Sequence, residues 1–264
     1  MDYNINKETL AVNETVFESC MEQPVDLDFS LPDYCPDIQR ILKCQITPSI
    51  SARNITADRL DVDGNATVSL LYLTSDKASI KSCEHTLPFS ASFNLKNVPE
   101  NPIIFTKTKV EYLNCRALSP RRLDIHGSFS VCAKVNCKAS KEFVSDINGK
   151  GVQQKKVKID ASNVIGMGQQ PFTISEIIDT GKSGEEINSI IKTDLTTTLS
   201  DFKTLTNKVI VNAIANLKML YINDLEDCNI EQFSYEIPIS QIIDIEGIDE
   251  NCTCDIKIET LSHD

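Results

Sequence analysis

The chain is short of positive charge. Its 264 residues carry 26 Lys and Arg against 38 Asp and Glu, a net charge of −12. Nucleic acid and anionic membrane both call for a basic surface, so neither is expected as a partner. The acids are scattered, which fits a solvated face better than a cation site. No apolar run approaches the length that spans a bilayer. Residues 1–10 are polar and acidic, unlike a secretory signal, so synthesis and folding in a cytoplasm are expected. Glycine is scarce at nine residues, and none falls in a phosphate-loop pattern. There are three histidines, His85, His126 and His263, and no nucleophile–base triad assembles around them. Asp224, Glu226 and Asp227 share a turn that lacks the glycine and spacing of a calcium loop; a solvated hairpin tip is expected there. The expectation is therefore no catalytic residue, no metal, no cofactor and no enzyme.

Cysteine runs the other way. The chain has ten, at 20, 35, 44, 83, 115, 132, 137, 228, 252 and 254. That is many for a reducing compartment, yet no C-x-x-C pair occurs; the tightest spacing is Cys252-Thr253-Cys254. Free cysteine buries as a small hydrophobe, and Cys44, Cys83 and Cys254 fit that role. Cys132 lies on the polar phase of its strand, and Cys20 lies in an N-terminal extension. These two are the candidates for exposed thiols and for crosslinks between chains.

What the chain does have is a repeat. Asp37-Ile38-Gln39-Arg40-Ile41-Leu42-Lys43 is echoed by Glu186-Ile187-Asn188-Ser189-Ile190-Ile191-Lys192, at an offset of 187 − 38 = 149. Leu87-Pro88-Phe89-Ser90 is echoed by Ile237-Pro238-Ile239-Ser240, at 238 − 88 = 150. Two copies of one fold are implied. The repeat also serves as an internal control. Cys83-Glu84-His85 has the residue types of a metal or nucleophile fragment, but Cys83 and His85 align with Phe233 and Tyr235, so packing explains them better than chemistry.

Most of the pattern has period two. Leu60, Val62, Gly64, Ala66, Val68, Leu70 and Tyr72 alternate with polar residues, and Val209 to Tyr221 keep the same phase. Such alternation marks half-buried strands. Small residues fall mid-strand in both copies, at Gly64 and Ala66 and at Ala213 and Ala215, where another layer can approach closely. A further strand is expected over 123–135, and a hairpin at Asn148-Gly149-Lys150-Gly151 between Phe143-Val144 and Val157-Lys158-Ile159. Helical spacing shows only at Ile38/Ile41/Leu42 and at Ile187/Ile190/Ile191. The fold expected is all-β with one short helix per repeat, as two tandem β-sandwich or barrel-like domains. The divisions are an N-terminal extension at 1–22, a first domain at 23–161, a linker at 162–170 and a second, shorter domain at 171–264. The second copy has no counterpart of the strand at 123–135.

The stretch Val25-Asp26-Leu27-Asp28-Phe29-Ser30-Leu31-Pro32-Asp33-Tyr34-Cys35-Pro36-Asp37-Ile38 resembles the opening of the SPOCS domain. That domain is found in clostridial spore-coat proteins, including coat morphogenetic adaptors of the SipL type. Arg121-Arg122-Leu123-Asp124-Ile125, Phe172-Thr173-Ile174-Ser175-Glu176 and Ile245-Glu246-Gly247-Ile248-Asp249 resemble it further along the chain. The resemblance implies a place at the spore surface, in coat or appendage, after synthesis without a signal peptide in the mother-cell cytoplasm. Adaptors of the family often end in a LysM module, for which this chain leaves no room, so a building block of β-repeats is expected.

The function expected is a structural subunit that self-assembles through β-edges, with itself and other coat or appendage proteins as partners. The extension would donate a strand to the next subunit through Leu10, Val12 and Val16. Its alternatives are to fold back on its own domain or to stay disordered. The alternative function is a non-polymerising adaptor that binds another coat morphogenetic protein.

Overall fold

A computed structural model describes residues 4–76, 79–149, 151–155, 157, 160–178, 187, 189–222 and 230–261. Nine strands occur among them: β1 (Asn4–Ser30), β2 (Ile38–Thr56), β3 (Arg59–Thr74), β4 (Ile80–Asn94), β5 (Ile103–Ser119), β6 (Arg122–Asn148), β7 (Ser189–Leu205), β8 (Lys208–Ile222) and β9 (Ile230–Asp244). They form three antiparallel sheets, ordered β1-β6-β5, β2-β3-β4 and β7-β8-β9. No helix is present among the described residues.

The period-two reading holds where it is cleanest. Along β3 every second side chain is buried, with Leu60, Val62, Ala66, Val68, Leu70 and Tyr72 at 2% exposure or less. Along β8 the buried residues Val209, Val211, Ala213, Ala215, Met219 and Tyr221 keep that phase. The hairpins repeat as well: Tyr72 faces Lys81 and Tyr221 faces Glu231. A side-chain bond recurs at the same place, Ser49 Oγ to Asn65 O at 3.1 Å and Thr198 Oγ1 to Ile214 O at 3.4 Å.

The expected helices are strands. Ile38, Ile41 and Leu42 belong to β2, and Ile190 and Ile191 to β7, while Ile187 lies outside any strand. Bulges account for the misleading spacing. The β2–β3 register shifts between Ile38 and Arg40 and again between Ile41 and Lys43; β7 shifts between Ile190 and Lys192. Each shift inserts a residue, so Ile38, Ile41, Cys44 and Ile46 all reach the core at intervals of three, then two. The expected hairpin after Phe143-Val144 is also different. Those residues belong to β6 and face Glu8 and Lys7 of β1. Lys158 and Ile159 lie outside the described residues.

The first two sheets share one core. Val25 of β1 and Leu123, Ile125, Phe129, Val131 and Val135 of β6 meet Leu60, Val62, Val68 and Leu70 of β3 and Ala91 and Phe93 of β4. Phe17 against Phe93 (5.7 Å) and Phe89 against Phe129 (5.0 Å) make edge-to-face contacts across the two sheets. With about 1.5–3 kcal/mol for each large apolar side chain fully buried, this core dominates the stability of the first half. The third sheet carries two smaller clusters, centred on Val209, Val211 and Ile248 and on Ala213, Ala215 and Ile239.

Candidate functional site

β1 and β6 are both 27 residues long and pair along their whole length, from Ser30 opposite Arg122 to Asn4 opposite Asn148. β5 accompanies β6 only as far as Ile103 opposite Asn136. Past Asn136, the described residues give β6 one strand partner, β1. Residues 4–14 and 137–148 therefore leave the three-stranded sheet as a two-stranded ribbon. A ribbon of this kind is marginal alone. Ion pairs Lys7–Glu142 (3.1 Å) and Lys141–Glu14 (2.7 Å) cross it. Residues 163–165 line the outer edge of β1: Val164 N donates to Ala11 O (2.9 Å), and Ala11 N donates to Asn163 Oδ1 (2.8 Å). Ile5, Phe143 and Val144 are exposed on the ribbon.

Leu10 and Val12 face Lys141 and Ala139 of the same chain, and Val16 sits at the register shift between Thr15 and Phe17. The fold-back alternative for the extension is thus the arrangement seen, and β1 runs unbroken through the boundary expected at residue 22. Cys20 and Cys132 are bonded to each other within the chain, where crosslinks between chains were expected. They stand directly opposite on β1 and β6, with Cα atoms 3.9 Å apart. Strand phase accounts for this: the exposed face of β6 that carries Cys132 is the face of β1 that carries Cys20. Local pattern shows two outward thiols; only the pairing shows that they touch.

The other described cysteines are free and at least half-buried. Cys83 belongs to the core, and burial, with Cys35 close by, pushes its thiol up to about 11. Cys44 on β2 and Cys115 on β5 meet between the sheets. Cys44 shares its proton with Cys115, which pushes the Cys44 thiol up and holds the Cys115 thiol down. Cys228, His263 and the turn with Asp224, Glu226 and Asp227 lie outside the described residues. His85 is half-buried with its ring 5.2 Å from that of Phe29. His126 lies on the outer face between Asp26 (3.2 Å) and Asp124 (2.7 Å). Arg122 joins Asp28 and Arg116 joins Asp124 beside it, an exposed ionic strip with no nucleophile in it.

The segment at 31–37 encloses Arg121, at the β5–β6 turn. Arg121 Nη1 donates to Cys35 O (2.9 Å) and Asp37 Oδ1 (2.8 Å), and Nη2 to Pro32 O (2.8 Å). Leu31 N donates to Arg121 O and Ile38 N to Pro120 O, both at 2.8 Å. The segment thus anchors a turn. Sequence reasoning marked Leu31–Ile38 and Arg121 separately and had no signal that they meet.

The third sheet is covered differently from the second. Residues 251–261 run across it without joining a strand ladder, and Cys252, Cys254, Ile256 and Ile258 alternate onto Val209, Val211, Ala213 and Ile239. Ideal Cβ atoms at Gly166 and Gly168 would meet Ile245 side-chain carbons at 2.3 and 3.0 Å, so the linker backbone also lies close to this sheet. The 251–261 segment reaches the first half through Arg53–Glu259 (3.2 Å), Ile50 N to Leu261 O (3.1 Å) and Lys257 over the Phe105 ring (5.1 Å). Between them lies a cleft of about 260 Å³, whose one titratable acid is Glu259. No group of three His, Cys, Asp or Glu could hold a metal ion among the described residues.

Fold and side chains together define, over the described residues, an all-β tandem-repeat protein in which a long two-stranded clasp, β1 with β6, closes the first repeat. The family model described as SipL, SPOCS domain matches residues 37–118 and 186–264. These segments make up more than half of the chain, which belongs to the SPOCS-domain family, a family associated with spore-coat proteins. The first segment spans β2 to β5; the second spans β7 to β9 and residues 251–261. β1 and β6 both lie outside the matched segments. No curated protein and no solved structure matched the chain.

Proposed function

We propose that this protein is a non-enzymatic structural subunit of the clostridial spore coat or of a spore-surface appendage, and that it assembles with itself through β-edges. Membership of the SPOCS-domain family is the observation that carries the reading. Two further features support it. Every regular element among the described residues is a strand, so each sheet ends in edges that can template another strand. Among the described residues, His126 pairs with Asp26 and Asp124 and the His85 ring packs against Phe29, so neither histidine is committed to a hydroxyl or thiol. In this reading the two repeats are β-sandwich-like domains, the first including all of β1 and ending at 161 and the second at 171–264, joined at 162–170. The β1–β6 ribbon, which carries Leu10 and Val12 on its β1 strand, is what one subunit presents to the second repeat of the next. Such head-to-tail contact does not close on itself and builds a filament or ribbon.

Electron microscopy and size-exclusion of the purified chain test the reading. Regular assemblies are expected; a protein that stays monomeric at high concentration overturns self-assembly and favours the adaptor.

A further inference from the structure

β5 and residues 251–261 are counterparts. Both end their matched segments, and Cys254 occupies the position of Ile104. Side chains of β5 pack into the core shared with the β2-β3-β4 sheet, and those of 251–261 pack onto the β7-β8-β9 sheet. Their surroundings differ in one respect. β5 lies in a ladder with β6, whereas among the described residues no strand pairs with 251–261.

β6 in turn outruns β5. The edge along which it meets β5 continues past Asn136, and the backbone there points outward. Ala11 turns both its N–H and its C=O away from β6, to Asn163 and Val164. Directly opposed residues of an antiparallel pair share that orientation. Ser140, the partner of Ala11, therefore aims its own N–H and C=O at the second edge of β6. One part of the chain thus carries a β6 edge without its β5. Another, among the described residues, carries a β5-like segment with no strand paired to it.

We propose that the two meet between molecules: the β1–β6 ribbon of one copy lies, β6 edge first, along residues 251–261 of a second copy. The inference rests on the self-assembly reading and names its contact. The ladder repeats between chains the antiparallel β5–β6 pairing already present within one. Ala139 and Phe143, in phase with Val135 and Cys137, then turn toward the β7-β8-β9 sheet, and Phe143, 47% exposed in the single chain, is covered. The Cys20–Cys132 bond stands at the root of the ribbon and keeps β1 on β6, so the ribbon is delivered as a unit, without peeling its strands apart.

The full chain with Phe143 replaced by photoreactive benzoylphenylalanine tests this. Assemblies are grown from an equal mixture of unlabelled and ¹⁵N-labelled chains, irradiated and digested. Mixed-isotope crosslinks into residues 251–261 are expected. Ser140→Pro removes the outward N–H and should cut the assembled fraction at least tenfold. Retention of the Cys20–Cys132 bond in that variant shows that β1 still lies on β6 at the base of the ribbon. Assemblies whose crosslinks map elsewhere, or Ser140→Pro assemblies that are undiminished, overturn this contact and leave self-assembly standing. A monomeric wild-type chain overturns both.

Discussion

Gly64 lies directly opposite Phe89 in the β3–β4 ladder, and the ring fills the space where a Gly64 side chain would be. A Cβ at residue 64 would stand 2.5 Å from Phe89 Cζ and 2.2 Å from Ser49 O. The second repeat solves the same position with Ala213 opposite Ile239. A larger partner goes with the smaller residue, and the reverse. Gly64→Ala should destabilise the first repeat by about 1–3 kcal/mol, the range for overpacking. Adding Phe89→Ile should recover part of that, with a coupling of about 0.5–3 kcal/mol in a double-mutant cycle. Strict additivity in denaturant melts would refute the relationship.

The Cys20–Cys132 bond closes a loop with a sequence separation of 112. Removing such a bond costs about 2–5 kcal/mol. Cys20→Ser and Cys132→Ser should each melt earlier than the wild type by a similar amount, and the double variant no earlier than either. In a denaturing gel, reductant should slow the monomer band by opening the loop. A ladder of covalent oligomers that reductant collapses would instead place the bond between chains.

Arg121→Ala removes a fork that binds three or more acceptors on residues 31–37. It should lower the melting temperature and speed hydrogen exchange at Leu31 and Ile38 more than elsewhere. Arg121→Lys should restore little, because a compact ammonium cannot reproduce the planar fork. Full rescue by lysine would mean that charge alone matters.

Thiol reactivity should follow the surroundings of each sulfur. At pH 8, Cys115 should take up iodoacetamide before Cys44 and Cys83, since the thiolate is the reactive form and burial pushes Cys83 up to about 11. Peptide mapping against time reads this directly. Earlier labelling of Cys83 would contradict the packing around it.

Acid should unfold the protein from the carboxylate side. Arg122 holds the Asp28 carboxyl below its ordinary value, Ser92 and Arg59 do so for Asp61, and Lys109 and Ser130 for Glu111. Folded values below unfolded ones contribute stability above the unfolded range of about 4, lost as pH falls through the folded values. Glu259 has the opposite sign. Burial raises it, so its contribution is present at low pH and fades as pH rises through its folded value. Glu259→Gln should therefore make the acid loss steeper. A shallower loss in melts from pH 6 to pH 2 would contradict this sign.

Much of the fold is legible locally. Strands β3, β4, β8 and β9 follow from alternation, because a pleated strand with one buried face repeats every two residues. Cys83 is read as core from its partner Phe233. The first turn of β2 is misread because two bulges change the period from two to three, and three is also a helical spacing. The Arg121 enclosure and the facing of Cys20 with Cys132 have no local signature at all.

The sequence by itself determined that the chain is all-β, that it is built twice, and which family it resembles. Those properties rest on short-range patterning and on comparison of one copy with the other. Tertiary structure alone decided that β1 crosses the chain to pair with β6, that the two outward cysteines face each other, and that the ribbon beyond Asn136 carries an edge without β5. A strand's pattern says which face is buried and leaves its partner open. That choice depends on closing a loop of more than a hundred residues, and the shared core of the first two sheets makes the closure favourable.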